Sequence, residues 1–372
     1  MTVHLQPATA APHGTATISE FDRRSPRILG FGTAVPSTSY TQTQLLHLFG
    51  IADPRVRSVF ANSAIDRRFL TLPPAGPDGA RQLETQGQLL HKHREQTVDM
   101  GARALESCLK HINAQLTDVR YLCCVTSTGF LTPGVSALLI RELGLEADCA
   151  RLDVVGMGCN AGLNGLTATA AWAAAKPGEL AILLCVEACS AAYVMDGTMR
   201  TSVVNSLFGD GAAAIAVRSD DSGERSGPQL LRFTSLIIPE AVGAMRYDWD
   251  DTAGKFSFYL DRDIPYVVGA HAERAIDALL AGTGVRRGDI AHWVIHPGGK
   301  KVIDSVMVNL GLTRHDVRHT AGVLREYGNV SSASFLFAYA RLAEEEIIAP
   351  GEYGVLMTMG PGTTIETALV RW

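Results

Sequence analysis

No C-x-x-C pair occurs in these 372 residues, so neither a zinc ribbon nor a thioredoxin-like motif is supported, and no metal site is expected. There is no positive excess either. Lys and Arg number 33 against 38 Asp and Glu, a net charge of −5. That leaves no electrostatic footprint for nucleic acid, although a local basic patch can still hold a small anion. A secretory signal is also lacking. Residues 1–27 are rich in Ala, Thr and Pro, carry Glu20 and Asp22, and have no continuous apolar core, so they read as a flexible tail. The stretch from Val154 to Ala175 is uncharged and long enough to span a bilayer. It holds Asn160, Asn164, Thr167, Thr169 and four glycines, which suits a strand and a buried Ala-rich helix better, so no membrane partner is expected. The seven cysteines are odd in number, most lie in apolar runs, and a reduced, cytoplasmic compartment fits them.

What is present is a large core and a rhythm of α/β elements. Apolar residues make up 47% and charged residues 19%. The length suggests two domains or one large two-part unit. The best internal boundary is the polar, Gly/Ser/Pro-bearing run at 218–229, separating a half at 28–217 from one at 230–372. Strands are expected at Ile28–Gly32, Tyr121–Thr126, Leu180–Val186, Ala212–Val217, Leu230–Ile238, Tyr353–Met359 and Ile365–Trp372. Helices are expected at Thr41–Phe49, Thr97–Leu116, Ser136–Leu143, Val267–Ala281 and Lys301–Leu310, with another ending near Ile347. In the helix over 97–116, Val98, Ala102, Leu105, Leu109 and Ile112 form the apolar face. Residues 73–90 read as a surface loop, and 205–211 as a turn. No repeat is visible at the residue level.

The central stretch is Leu152-Asp153-Val154-Val155-Gly156-Met157-Gly158-Cys159-Asn160-Ala161-Gly162-Leu163. It reads as a buried strand, a tight turn and a helix start, with Cys159 at the turn. Unpaired N–H groups and the positive end of the macrodipole favour a thiolate there, and the thiolate is the nucleophile. The other six cysteines read as inert core residues. His296 ends an apolar strand before Pro-Gly-Gly, which projects its ring beyond the sheet. An imidazole there can accept a thiol proton and hydrogen-bond a developing oxyanion. Asn329 stands before a helix, as an N-cap would, or as an amide donor to an oxyanion. A Cys, His and Asn set also admits a papain-like hydrolase, but such a chain carries its cysteine near the mature N-terminus and has disulfides.

Five motifs in order carry a specific resemblance. They are Gly158-Cys159-Asn160-Ala161-Gly162, Leu207-Phe208-Gly209-Asp210-Gly211-Ala212-Ala213, His296-Pro297-Gly298-Gly299, Tyr327-Gly328-Asn329-Val330-Ser331-Ser332, and Gly360-Pro361-Gly362-Thr363-Thr364-Ile365-Glu366-Thr367. From Ile28 to Trp372 the chain resembles the type III polyketide synthases, chalcone synthase-like members of the thiolase superfamily. The resemblance implies an α/β, thiolase-like αβαβα layered fold with two pseudo-twofold-related halves, and a homodimer. It implies Cys159 as acyl acceptor and His296 and Asn329 as the oxyanion hole. Phe208 and Phe258 match the two aromatic positions between the CoA tunnel and the cavity, and Gly362 lies in the closing loop. The family needs no metal or redox cofactor; malonyl-CoA is substrate and CoA is product.

There are departures from the family pattern. Of three basic positions that hold CoA phosphates, Arg55 matches, but Ser58 and Asn62 stand at the others. Arg57, or Lys300 and Lys301 after Gly298 and Gly299, are candidates to compensate. Thr132 occupies the position that can reach into the partner subunit, and small Ala192 a cavity position beside Tyr193. Finer similarity, at 237–241, 245–250 and 298–304, is to the bacterial 3,5-dihydroxyphenylacetyl-CoA synthases of glycopeptide antibiotic pathways. Those use malonyl-CoA as starter and extender and work with enoyl-CoA hydratase-like helper enzymes. Other readings stay open: a naphthalene- or pyrone-forming relative, a ketoacyl synthase III, or a non-catalytic acyl-CoA-binding scaffold.

Overall fold

The computed structural model describes residues 25–76, 81, 83–193, 198–219 and 227–372. The expected tail therefore lies outside the described residues as far as position 24, as do 220–226 of the boundary run. Arg27, grouped with the tail by composition, already belongs to the first strand.

In the first half, strand β1 (Arg27–Ala34) is followed by the short antiparallel pair β2 (Ser39–Thr41) and β3 (Arg67–Phe69), which brackets helices α1 (Gln42–Leu48) and α2 (Pro54–Ala61). Helix α3 (Gln86–His111) starts eleven residues before the expected Thr97 and ends before Leu116. A capping box explains the start. The Gln88 N–H donates to the Thr85 hydroxyl, and the Thr85 N–H donates to the Gln88 side chain. The loop expected over 73–90 thus ends at Thr85. The buried stripe of α3 runs through Met100, Ala104, Leu105, Cys108 and Leu109, while Val98, Ala102 and Ile112 border it. Next come β4 (Val119–Thr126), α4 (Val135–Leu143), β5 (Ala150–Val155), α5 (Ala161–Ala175), β6 (Leu180–Glu187), α6 (Met199–Leu207) and β7 (Gly211–Arg218). Residues 205–207, expected in a turn, form the last turn of α6.

The second half holds β8 (Gln229–Ile237), a hairpin of β9 (Met245–Asp250) and β10 (Lys255–Leu260), α7 (Ile264–Leu280), β11 (Ile290–Ile295) and α8 (Lys300–Leu310). It closes with α9 (Arg318–Tyr327), α10 (Ser334–Glu344), β12 (Tyr353–Gly360) and β13 (Thr364–Arg371). The helix expected over 267–281 is α7, and its apolar residues Val268, Ala272, Ala275, Ile276 and Leu279 are buried. Sequence periodicity did not reveal α9.

Nine strands form a sheet in the order β11-β12-β13-β8-β1-β7-β6-β4-β5. Its two parts share a pattern. In one, β4 runs parallel to β5 and β6, and β7 is antiparallel to β6 and β1. In the other, β11 runs parallel to β12, and β13 is antiparallel to β12 and β8. Hence β8, β11, β12 and β13 are counterparts of β1, β4, β6 and β7. The parts touch where Arg27 faces Gln229. Helices α5 and α10 lie between them and pack on strands of both. Helix α3 covers the outer face of β1, β6 and β7, and α7 covers that of β8 and β13, with α8 alongside. The result is five layers, helix–sheet–helix–sheet–helix.

One buried cluster joins Val125 and Cys185, Leu166 of α5, Phe335 of α10, and Val294 and Leu356. The two halves therefore share a core. This central position explains the Ala-rich α5: a Cβ on Gly162 would lie 2.5 Å from the Phe335 ring and 2.5 Å from the Ser332 carbonyl oxygen. No helix of the described residues is long and apolar enough to cross a membrane.

The strand before Cys159 departs from expectation. It is not buried but is the outer edge of the sheet, paired with β4 alone. Leu152 and Val155 are 37% and 40% exposed, and Met157 just beyond is 37% exposed.

Candidate active site

After β5 the chain turns through Gly156 and Gly158 into a single 3₁₀ turn, Gly158–Asn160, that leads into α5. Cys159 therefore stands at the start of a central helix, as its pattern suggested. Gly158 has φ +73°, and a Cβ there would lie 2.2 Å from the Pro361 ring. Only glycine meets both demands. Pro361 belongs to the β12–β13 loop, which closes over the turn.

His296 follows β11, and its backbone N–H donates to Met357 O at 2.8 Å. The residue is buried, and its Nδ1 has no hydrogen-bond partner. Asn329 precedes α10, at a place in the second half like that of Cys159 in the first. Its backbone is clamped twice: its N–H donates to Leu207 O and its carbonyl accepts from the Gly209 N–H, both at 2.9 Å. Its side-chain Oδ1 accepts from the Ser331 N–H at 2.8 Å and the Ser334 hydroxyl at 3.3 Å. That fixes the amide so that its NH₂ faces away from these donors, and the Asn329 side chain favours the ionised form of Cys159. Ser331, which sequence reading missed, sits at φ +46°, a strained conformation held by the bond to Asn329. Its hydroxyl accepts from the Cys159 thiol at 3.6 Å.

Glu187, at the end of β6, was also missed. A lone acid closing the apolar run Leu180–Val186 was the available signal. It is buried and accepts from the Ser127 N–H at 2.9 Å, the Thr128 hydroxyl at 3.0 Å and the Ser332 hydroxyl at 2.5 Å. Burial nevertheless raises its pKa above the ordinary carboxylate value.

The electrostatics correct one expectation. Burial pushes the Cys159 thiol up to about 12, against the pull of the Ser331 and Asn329 hydrogen bonds, and the Glu187 charge adds to the rise. Burial pushes the His296 imidazole down to about 3. Buried as they are, each group alone favours its neutral form, so the helix terminus does not by itself yield a thiolate. Moving the proton from sulfur to ring creates two opposite charges together, which offsets the desolvation either would suffer alone.

Two cavities meet at Cys159. The first, about 460 Å³, is lined by Cys159, His296 and Asn329 at its inner end and by Gly298, Arg262, Lys300 and Lys301 towards its mouth. The second, about 450 Å³, is lined by Ser127, Thr128, Ala192, Tyr247, Pro361 and Gly362. Both are bounded by Cys159, Met245, Phe208 and Phe258. The two phenylalanine rings stand edge to face with centroids 5.9 Å apart, at the junction. Met245 was not singled out from the sequence.

Two expected residues are not brought in. Arg55 lines neither cavity; its exposed guanidinium pairs with Asp53 at 3.0 Å. Thr132 is exposed and lines neither cavity of its own chain. All seven cysteines are buried and free of disulfides. Among the described residues, no group of three or more His, Cys, Asp or Glu is placed to hold a metal ion.

Comparison with known proteins finds related chains. Residues 230–372 match the family of chalcone and stilbene synthases, C-terminal domain, and residues 47–283 match that of FAE1/type III polyketide synthase-like proteins. The 3,5-dihydroxyphenylacetyl-CoA synthase of Amycolatopsis orientalis is 66% identical over 346 residues, 93% of each chain. That of Streptomyces toyocaensis is 67% identical over 351 residues, covering 93% of this chain and 90% of the relative. The chain belongs to the type III polyketide synthase family.

The 1,3,6,8-tetrahydroxynaphthalene synthase of Streptomyces peucetius is more distant, 31% identical over 358 residues and 94% of each chain. The fold of this type III polyketide synthase superposes on the crystal structure of PKS-I from the brown alga Ectocarpus siliculosus with a TM-score of 0.88, at 24% identity over 94% of this chain and 99% of that one. On the tetrahydroxynaphthalene synthase of Streptomyces coelicolor it gives 0.84, at 26% identity over 93% and 99%. Polyketide synthases are condensing acyltransferases. The two cavities of this one join at Cys159, and the first carries Arg262, Lys300 and Lys301 in its lining.

Proposed function

We propose that this type III polyketide synthase condenses malonyl-CoA, as both starter and extender, into 3,5-dihydroxyphenylacetyl-CoA for dihydroxyphenylglycine and glycopeptide antibiotic assembly. The observation that carries the chemistry is the convergence of Cys159, His296 and Asn329 where the two cavities meet. The relatives at 66–67% identity carry the choice of product.

His296 takes the Cys159 proton, and the sulfur attacks the acyl carbonyl of a CoA thioester. The new C–S bond forms as the bond to CoA breaks, and CoA leaves with the proton from His296. A malonyl-CoA then enters the first cavity and loses carbon dioxide. The electron pair of the breaking C–C bond becomes an enolate, whose charge rests on the thioester oxygen. The His296 ring N–H and the anchored Asn329 amide donate to that oxygen. Donors fixed in a site of low dielectric are worth about 3–4 kcal/mol each to such a charge. The enolate carbon attacks the acyl group on Cys159, the C–S bond breaks, and the chain is two carbons longer and bound to CoA.

Phe208 and Phe258 divide the CoA side from the cavity in which the chain cyclises, beside Ala192 and Gly362. Lys301 and the Gly298 turn serve the CoA end, and Lys301 takes the part expected of Arg55. The halves at 28–217 and 230–372 supply Cys159 on one side and His296 with Asn329 on the other. The molecule works as a homodimer, joined along β5: a sheet edge with exposed Leu152 and Val155 invites the same edge of a second copy. Thr132 then faces the partner's cavity.

Incubation with malonyl-CoA alone, followed by mass analysis, tests the proposal. The expected product is 3,5-dihydroxyphenylacetyl-CoA, more of it when enoyl-CoA hydratase-like helper enzymes are added. A tetrahydroxynaphthalene, or strict dependence on a malonyl-carrier protein, would contradict it.

A further inference from the structure

His93, on α3, plays no part in the steps above. It is fully buried, and its Nε2 has no hydrogen-bond partner. Its Nδ1 lies 3.2 Å from the Thr128 hydroxyl. That hydroxyl also accepts from the Ala188 N–H at 3.0 Å and donates to Glu187 Oε2 at 3.0 Å. Thr128 has one proton to give. With Glu187 ionised, that proton goes to the carboxylate, so His93 must carry its own on Nδ1 and donate it to Thr128. The opposite tautomer would leave Thr128 with two acceptors for one proton and bury an N–H with nothing to receive it. Gly129 presses on the far edge of the ring: a Cβ there would lie 2.3 Å from its Cδ2 and 2.8 Å from Nε2. The ring is therefore held in one place with one nitrogen at work.

We propose that His93 is a positioning residue, which through Thr128 fixes the Glu187 carboxylate near Cys159 and so sets the reactivity of that thiol. Glu187 is the hub. One oxygen takes the Thr128 hydroxyl and the Ser127 N–H, the other the Ser332 hydroxyl, next to the Ser331 that bonds Cys159. Its negative charge opposes ionisation of Cys159. The titratable groups that face this assembly are Cys189 and Tyr247, which feel both Glu187 and Cys159, Cys185, which feels Glu187, and His296 in the shared cavity. Lys92, next to His93 in the chain, is held by Glu84 at 2.6 Å.

The test is the pH dependence of Cys159 alkylation by iodoacetamide in the substrate-free enzyme, read at Cys159 by peptide mass. His93→Val removes the donor to Thr128. The Thr128 hydroxyl, no longer fixed by that donor, is free to turn from Glu187, whose carboxylate is then less stabilised, takes a proton more readily and opposes the thiolate less. The alkylation midpoint should fall by about 0.5–1 pH unit. Thr128→Val, which leaves α3 intact, should move it the same way. His93→Asn keeps an N–H near the Nδ1 position and should restore the wild-type midpoint. An unmoved midpoint in the folded Thr128→Val variant overturns the proposal. So does a shift in His93→Asn as large as in His93→Val, which would mark a packing role. The proposal rests on Cys159 as the acyl carrier, but its readout needs no substrate. Failure of that reading would show instead as the absence of an acyl-enzyme.

Discussion

Around Cys159 the structure sets the Ser331 hydroxyl, the Asn329 amide, the His296 imidazole and the Glu187 carboxylate. Cys159→Ala should remove the covalent acyl-enzyme seen by intact mass and lower product formation at least about tenfold, since the acyl chain loses its anchor. Lys301→Ala should raise KM for malonyl-CoA about 2–5-fold with little change in kcat, as expected for an exposed cation meeting a phosphate. Arg55→Ala should leave both unchanged. His93 supplies a pH signature. Burial lowers its pKa from 6.5 to about 4. Protonation therefore favours the unfolded chain, so the contribution of the neutral ring is complete above about 6.5 and is lost as pH falls towards 4. Thermal melts should show a falling Tm across that window, and His93→Asn a smaller fall. At this scale much of the site was legible. Cys159, His296 and Asn329 each stand where a strand or turn passes to a helix, with glycines or an N-cap pattern to mark them. Ser331, Met245 and Glu187 were not, because their roles depend on what other segments place beside them.

Elements were legible in proportion to how far local sequence alone dictates them. Helix α7 followed its periodicity because a single face of it packs on a sheet. Helix α3 was found but misjudged in extent and rotation: its start is a polar capping box at Thr85, and its stripe packs on β1, β6 and β7, which no local window contains. Strand β5 was read as buried because it is apolar. Its place at the sheet edge is a property of the strand order, not of its residues. That edge yields a prediction. Val155→Arg should repel a second copy and shift a dimer towards monomer in light scattering coupled to size exclusion; an unchanged mass would remove β5 from the interface. The turn before α5 yields another. Gly158→Ala puts a Cβ at φ +73° and 2.2 Å from Pro361. It should cost about 1–3 kcal/mol of stability or displace the β12–β13 loop, with a matching loss of activity.

Across the whole molecule, the five layers bring groups from both halves to one point. Cys159 enters at the start of α5 and Asn329 just before α10, the two helices enclosed between the sheets, and His296 projects from β11. The rhythm of strands and helices pointed to such handovers, but the shared core and the pairing of Arg27 with Gln229 are long-range facts. The central claim is a division of labour: Cys159 holds the chain, while His296 and Asn329 make the carbon nucleophile. Release of labelled carbon dioxide from malonyl-CoA, compared in Cys159→Ala and Asn329→Ala, tests it most directly. Cys159→Ala should still decarboxylate malonyl-CoA without forming an acyl-enzyme, and Asn329→Ala should lose decarboxylation by about 10²-fold or more. Carbon dioxide release at the wild-type rate by Asn329→Ala would contradict it.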